Sequence, residues 1–273
     1  MPSQLPLMLP ADFERRFGGL ARLYGAEGAK RIRAAHVVVV GLGGVGSWAA
    51  EALARSGVAG LTLIDLDHIA ESNINRQIHA LDNTLGQAKV EAMRERIAHI
   101  NPKCDVRCVE EFVDAGNWPD IAGFELEAGT AVSIIDACDQ VKAKTAIAAW
   151  ALQHNLRHKQ NSANLITVGA AGGKRHAHMI EIEDLSLSTH DPLLAQLRYR
   201  LRKEQGASRQ GKIGVNCVFS RESVMQPVSG VGAEGNAGQT DSSLNCHGYG
   251  SVVSVTSTFG ICAAGWVLDK IAS

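Results

Sequence analysis

Apolar positions along the chain follow two periods. Between residues 12 and 33, Phe13, Phe17, Leu20 and Leu23 recur every three or four positions, which predicts an amphipathic helix. Residues 37–40 are a continuous run of valine, the pattern of a strand buried on both faces. A glycine-rich turn leads into an alanine-rich helical stretch at 45–56, and 61–65 predicts the next strand. Residues 87–100 are again helix-periodic and stop at Asn101-Pro102. Further strands are predicted at 106–109 and 131–136, and a helix at 142–155. Strands alternating with helices give an α/β fold class: a Rossmann-like parallel sheet with flanking helices and right-handed crossovers.

The pattern loosens after residue 161. Residues 165–168, 179–182 and 213–219 read as strands, 193–204 as a basic helix, and 227–245 as a surface loop rich in Gly, Ser, Asn and Thr. Residues 1–160 are expected to form the nucleotide-binding region and 161–273 a less regular region for substrate and dimer contacts, within one continuous domain.

Composition narrows the function classes. With 45% hydrophobic residues and 27 Lys+Arg against 28 Asp+Glu, the chain is an ordinary globular sequence. The net charge of −1 argues against nucleic acid only until its distribution is considered. Residues 193–212 hold Arg198, Arg200, Arg202, Lys203, Arg209 and Lys212 against Glu204 alone, so the remainder is acidic. Such a segment is either a solvated helix face or a footprint for RNA phosphates. The six cysteines include no CxxC pair, so a structural zinc is not expected and a cytoplasmic, reduced setting is. Residues 248–268 lack charge over nearly the ~20 residues that span a bilayer. Their many Gly, Ser and Thr favour a buried or interface helix over membrane association.

Chemistry concentrates in four places. Val40 is followed by Gly41, Gly43, Gly44 and Gly46 in a GxGxxG turn, where backbone N–H groups at a helix start can meet phosphates. Asp65 closes the next strand at ribose distance, with Asp67 just beyond. To this point NAD and ATP fit equally. Arg76 and Lys89 follow, and fixed cations there suit a triphosphate better than a dinucleotide. Asp136 and Asp139 end the strand at 131–136, a carboxylate pair suited to Mg²⁺, although Asp139 equally suits a helix N-cap.

GLGGVGS, LIDLDHIAESNINRQ, GQAKVEAMRERIAHINP and IDACD, in this order, resemble the E1-like adenylating superfamily, which includes bacterial activators of sulfur-carrier proteins. The resemblance implies ATP-dependent adenylation of a carboxylate. By position, Asp65 resembles the ribose ligand, Asn73, Arg76 and Lys89 the phosphate-contacting set, and Asp139 the Mg²⁺ ligand. RFGG–RLYG from Arg16, NRQIHAL, DPL from Asp191 and GVNCVFS from Gly214 resemble one branch more closely, the tRNA threonylcarbamoyladenosine dehydratases. That branch implies ATP-dependent cyclisation of the threonylcarbamoyl group on adenosine 37 of tRNA. It also implies a homodimer in which an N-terminal arginine, Arg22 or Arg16, reaches the neighbour's phosphates. A monovalent cation and a sulfur-relay protein are left open as further partners, while no ubiquitin-like protein is needed. The absent CxxC pairs separate the chain from the sulfur-carrier activators, the alternative reading. Cys217, in GVNCVFS, reads as a reactive thiol or a small buried hydrophobe. Two features depart from the expected pattern: Asn216 stands where Asp is expected, and Gly169-Ala170-Ala171, before Gly172-Gly173, where a GG-type turn is expected.

Overall fold

The computed structural model describes residues 12–124, 131–158, 162–226 and 249–273. The loop expected at 227–245 lies outside the described residues, as does Cys246. Seven strands, β1 (His36–Val40), β2 (Gly60–Ile64), β3 (Asp105–Val109), β4 (Val132–Asp136), β5 (Ala163–Val168), β6 (Ile180–Asp184) and β7 (Asn216–Ser220), form one sheet in the order β3-β2-β1-β4-β5-β7-β6. The sheet draws strands from both sides of residue 160. Its helices are α1 (Phe13–Phe17), α2 (Gly19–Ala34), α3 (Gly46–Arg55), α4 (Lys89–Ile100), α5 (Val141–Arg157), α6 (Pro192–Glu204) and α7 (Val253–Ala272).

The valine run explains the central strand. Val37 and Val39 point into a core shared with α3, α4 and α7, whereas Val38 and Val40 point into a second core shared with α5 and α6. Both faces are therefore covered, as a parallel sheet requires. β6 is the exception to the parallel expectation and pairs antiparallel with β7. Only a single 3-10 turn, Ala177–Met179, lies between β5 and β6, and without a long crossover the chain re-enters the sheet in the opposite direction.

The long helix expected at 12–33 is broken. α1 stops at Gly18, and Gly25 interrupts α2 with φ +73°, a left-handed conformation that favours glycine. The uncharged stretch near the C-terminus becomes α7, whose Val255, Phe259, Ala263 and Val267 form a buried stripe against α3. Gly260 permits that approach, because a Cβ there would lie 2.3 Å from the Val45 carbonyl oxygen. No helix among the described residues is long and apolar enough to cross a membrane.

Candidate active site

Sheet order reverses between β1 and β4, and in open α/β sheets the ligand crevice opens at the carboxyl ends of such strands. Val40 is in register with Ile64 of β2 and Asp136 of β4, so Gly41, Asp65 and Ala137 emerge side by side. They line a cleft of about 350 Å³.

The glycines of the turn have separate reasons to be glycine. Gly41 has φ +84°, and a Cβ there would lie 2.9 Å from the Cys138 backbone. At Gly46 a Cβ would sit 1.8 Å from the Gly41 carbonyl oxygen, which would break the tight entry into α3. Gly43 has open space on its Cβ side and faces the cleft. Gly44 carries the aliphatic stem of Arg76, 3.0 Å from where a Cβ would be.

Asp65 holds the turn from the other side. Its Oδ2 accepts the Leu42 N–H at 2.6 Å and its Oδ1 the Asp67 N–H at 2.9 Å. Burial raises its pKa, against the opposing pull of Lys89 and of these two N–H donors. Asn73 is buried at the cleft wall, its Oδ1 accepting the Ala70 N–H.

The two cations differ electrostatically. Lys89 is buried, with Nζ 2.7 Å from Asp67 Oδ2 and 3.9 Å from Asp65 Oδ1. Arg76 has no carboxylate partner among the described residues; Nη1 donates to the Ser72 carbonyl and to Asn75 Oδ1, and Trp48 Nε1 donates to the Arg76 carbonyl. Arg76 is therefore the uncompensated cation. Asp139 is exposed in the cleft and has no partner among the described residues. It is not the helix cap, because the N-cap of α5 is Gln140 and makes no side-chain capping bond. Glu111, Phe112 and Thr256 also line the cleft; sequence reasoning missed them. Glu111 and Phe112 follow β3, a position that the strand-end rule marks as ligand-facing.

Several expected site residues lie elsewhere. Asp136 does not face the cleft. Fully buried, it accepts from Lys144 Nζ at 3.1 Å through Oδ1 and from Thr167 Oγ1 at 2.6 Å through Oδ2, and Cys138 Sγ lies 3.0 Å from Oδ1. With its oxygens engaged under the floor, Asp136 is corrected from metal ligand to structural anchor. Cys217 is buried with Sγ against the Glu183 carbonyl, and burial pushes its thiol pKa far up, so the hydrophobe reading replaces the reactive thiol. Arg198 turns inward, and its Nη1 donates to the Leu185 carbonyl and to the carbonyl and Oγ of Ser188, which removes it from the phosphate-binding set. Arg202 donates from Nε to the Ser208 carbonyl, and Arg200 lies 3.6 Å from Glu204. Lys203 is exposed beside Tyr199. Arg22 is exposed outside the cleft, and Arg16 donates to the Ile100 carbonyl at a separate cavity.

The ThiF family model matches residues 16–271. The tRNA threonylcarbamoyladenosine dehydratase of Escherichia coli strain K12 is 42% identical over 272 residues, covering 98% of this chain and 97% of that protein. That of Haemophilus influenzae is 40% identical, covering 95% and 94%. A crystal structure of the E. coli enzyme in complex with ATP superposes with a TM-score of 0.80 at 40% identity, covering 96% of each chain. The chain belongs to the ThiF family, among its tRNA threonylcarbamoyladenosine dehydratases.

Proposed function

We propose that the protein uses ATP to cyclise N6-threonylcarbamoyladenosine at position 37 of tRNA, in the cytoplasm, through adenylation of the threonyl carboxylate. The observation that carries this reading is the cleft itself: a glycine turn, a ribose-side acid and an uncompensated arginine on one crevice, in a chain similar over its whole length to enzymes of that name. The threonyl carboxylate attacks the α-phosphorus and pyrophosphate leaves. The carbamoyl group then closes on the activated carbonyl carbon, and AMP departs with one carboxylate oxygen. Both reacting groups sit on one nucleoside, so ring closure gains from proximity.

In this reading Arg76 clamps phosphate oxygens, Lys89 exchanges part of its Asp67 contact for phosphate, Asp65 takes ribose hydroxyls, and Asn73 shapes the wall between them. The residues fit a magnesium ion. Asp65, Asp67, Glu111 and Asp139 outnumber Arg76 and Lys89 along the cleft, so a bare triphosphate is disfavoured unless a cation accompanies it. Asp139, a carboxylate without a partner among the described residues at the end of β4, would hold Mg²⁺, and the ion would neutralise charge on the transferring phosphate. The protein is expected to act as a homodimer. Neither Arg22 nor Arg16 lines the cleft of its own chain, so a role at the phosphates falls to a second copy.

Incubation with ATP, Mg²⁺ and tRNA carrying threonylcarbamoyladenosine, followed by nucleoside mass measurement, tests the reading. Loss of one water from the nucleoside is expected, and an unchanged mass refutes it. ATP–pyrophosphate exchange driven by a carrier protein's C-terminus would favour the sulfur-carrier alternative. The tRNA surface is assigned to the outer side of α6 and the segment after it, through Arg200, Lys203, Arg209 and Lys212. Arg200→Glu with Lys203→Glu should weaken tRNA binding about tenfold or more and flatten its salt dependence by about two charges, leaving ATP affinity unchanged. An unchanged salt slope would remove α6 from the interface.

A further inference from the structure

Lys174 is only 2% exposed, yet it forms no ion pair within 4 Å among the described residues. Its Nζ instead donates to three backbone carbonyls: His190 at 2.9 Å, Ser220 at 3.3 Å and Glu222. Three donors meeting three carbonyls satisfy an ammonium completely. A ring of carbonyls around a buried positive charge is also how proteins hold small monovalent cations.

The three carbonyls come from two parts of the chain, His190 before α6 and the Ser220–Glu222 end of β7, which meet beside the cleft. His190 precedes α6 and is the only described non-glycine residue with positive φ, +56°. A left-handed backbone at such a residue persists only where its surroundings enforce it. Its neighbour Asp191 caps α6 through the Leu194 N–H and holds the Ala170 N–H at 2.8 Å, and Ala170 lines the cleft. Glu222, past the end of β7, accepts the Arg175 and His176 N–H groups. Gly173 donates to the Gly250 carbonyl and accepts the Met225 N–H, each at 2.9 Å. One turn, with Lys174 at its centre, thus joins the cleft wall, the start of the basic helix and the ends of two further segments.

We propose that Lys174 is a positioning residue that serves as a built-in monovalent cation, its ammonium assembling the tRNA-facing wall of the cleft without touching substrate. Burial lowers the pKa of this amine, while Asp191 and Glu222 pull it back up. A neutral packing residue would leave three carbonyls unpartnered, a cost that a core lysine replaced by methionine should reveal.

The test is chemical rescue of Lys174→Ala, in which the truncated side chain leaves room for a free cation. Ammonium at about 0.1 M should raise its thermal midpoint, since a ligand that binds only the folded state stabilises it. Tetramethylammonium, which has no N–H donors, should not, and neither salt should distinguish wild type. In the tRNA reaction, the only arm that rests on the proposed function, Lys174→Ala should lose about tenfold in kcat/KM for tRNA with KM for ATP within about twofold, and ammonium should restore most of the loss. Lys174→Met, which fills the space, should resist rescue. If Lys174→Ala does not fold, refolding yield in ammonium against tetramethylammonium is the same readout. Equal midpoints or yields in the two salts overturn the proposal, as does rescue of Lys174→Met to the same extent. Failure of the tRNA reaction in wild type overturns the function and leaves the cation test standing.

Discussion

Asp139→Ala is expected to lower turnover by about 10³-fold, equivalent to about 4 kcal/mol of transition-state stabilisation, while leaving the fold intact. The two halves of this expectation have different grounds. Stability should hold because Asp139 is exposed, caps no helix and has no partner among the described residues, and substitutions at such positions usually change stability by less than about 0.5 kcal/mol. Activity should fall because Asp139 is the one free carboxylate at the carboxyl end of β4, on the cleft lined by Arg76 and Lys89. ATP binding measured with and without Mg²⁺ gives the sign. If Asp139 acts only as a repelling charge, its removal strengthens ATP binding in both conditions. If it holds the ion, removal strengthens binding of ATP alone and weakens binding of the magnesium complex. Asp139→Asn should behave as Asp139→Ala does, because it keeps the size and loses the charge. Turnover within about threefold of wild type would exclude Asp139 from the site.

The architecture was readable wherever backbone sterics or strand periodicity set it. Gly41 and Gly46 are glycine because a Cβ has nowhere to go, so the motif reports geometry directly. Four valines in a row report a strand covered on both faces. The site was less legible where function depends on which way a side chain turns. Asp136 and Asp139 look alike in sequence, three residues apart at one strand end. Their roles diverge because Asp136 is still in the strand, where its carboxylate meets Lys144 from α5 and Thr167 from β5, whereas Asp139 lies beyond it. No local pattern shows that Thr167 will be the neighbour. Arg198 was a readable error. It sits four residues after Leu194 and three before Leu201 on a helix whose buried stripe is Leu194, Leu197 and Leu201, so spacing alone places it at the margin of the core. The net charge of the segment carries no information about which helix face each arginine occupies. The antiparallel β6 follows from the short connection between β5 and β6, which holds one 3-10 turn and no crossover helix, a connection-length argument that strand assignment by itself does not make.

Lys144→Met should destabilise the protein by about 3–5 kcal/mol, the cost of leaving one member of a buried ion pair uncompensated. Lys144 and Asp136 are both 0% exposed, so solvent cannot take over from the missing partner. Lys144 Nζ donates to the Asp136 side chain, to the Asp136 carbonyl and to Thr167 Oγ1, each at 3.1 Å, and Cys138 N–H also reaches Asp136 Oδ1 at 3.3 Å. The pair therefore fixes the strand end from which the Ala137–Asp139 stretch enters the cleft. Denaturant unfolding of the two single variants and the double variant separates the contributions. Asp136→Leu combined with Lys144→Met should recover at least half of the stability lost by Lys144→Met, because an apolar pair avoids burying two charges even though Thr167 loses its acceptor. Activity should not recover with it. If the network serves only stability, the double variant regains turnover in step with its unfolding free energy; if it also aims the β4–α5 connection, turnover stays low in a chain that is again well folded. A Lys144→Met variant destabilised by less than about 1 kcal/mol would show that the buried pair is relaxed by solvent, and would remove the case for its holding Asp139 in place.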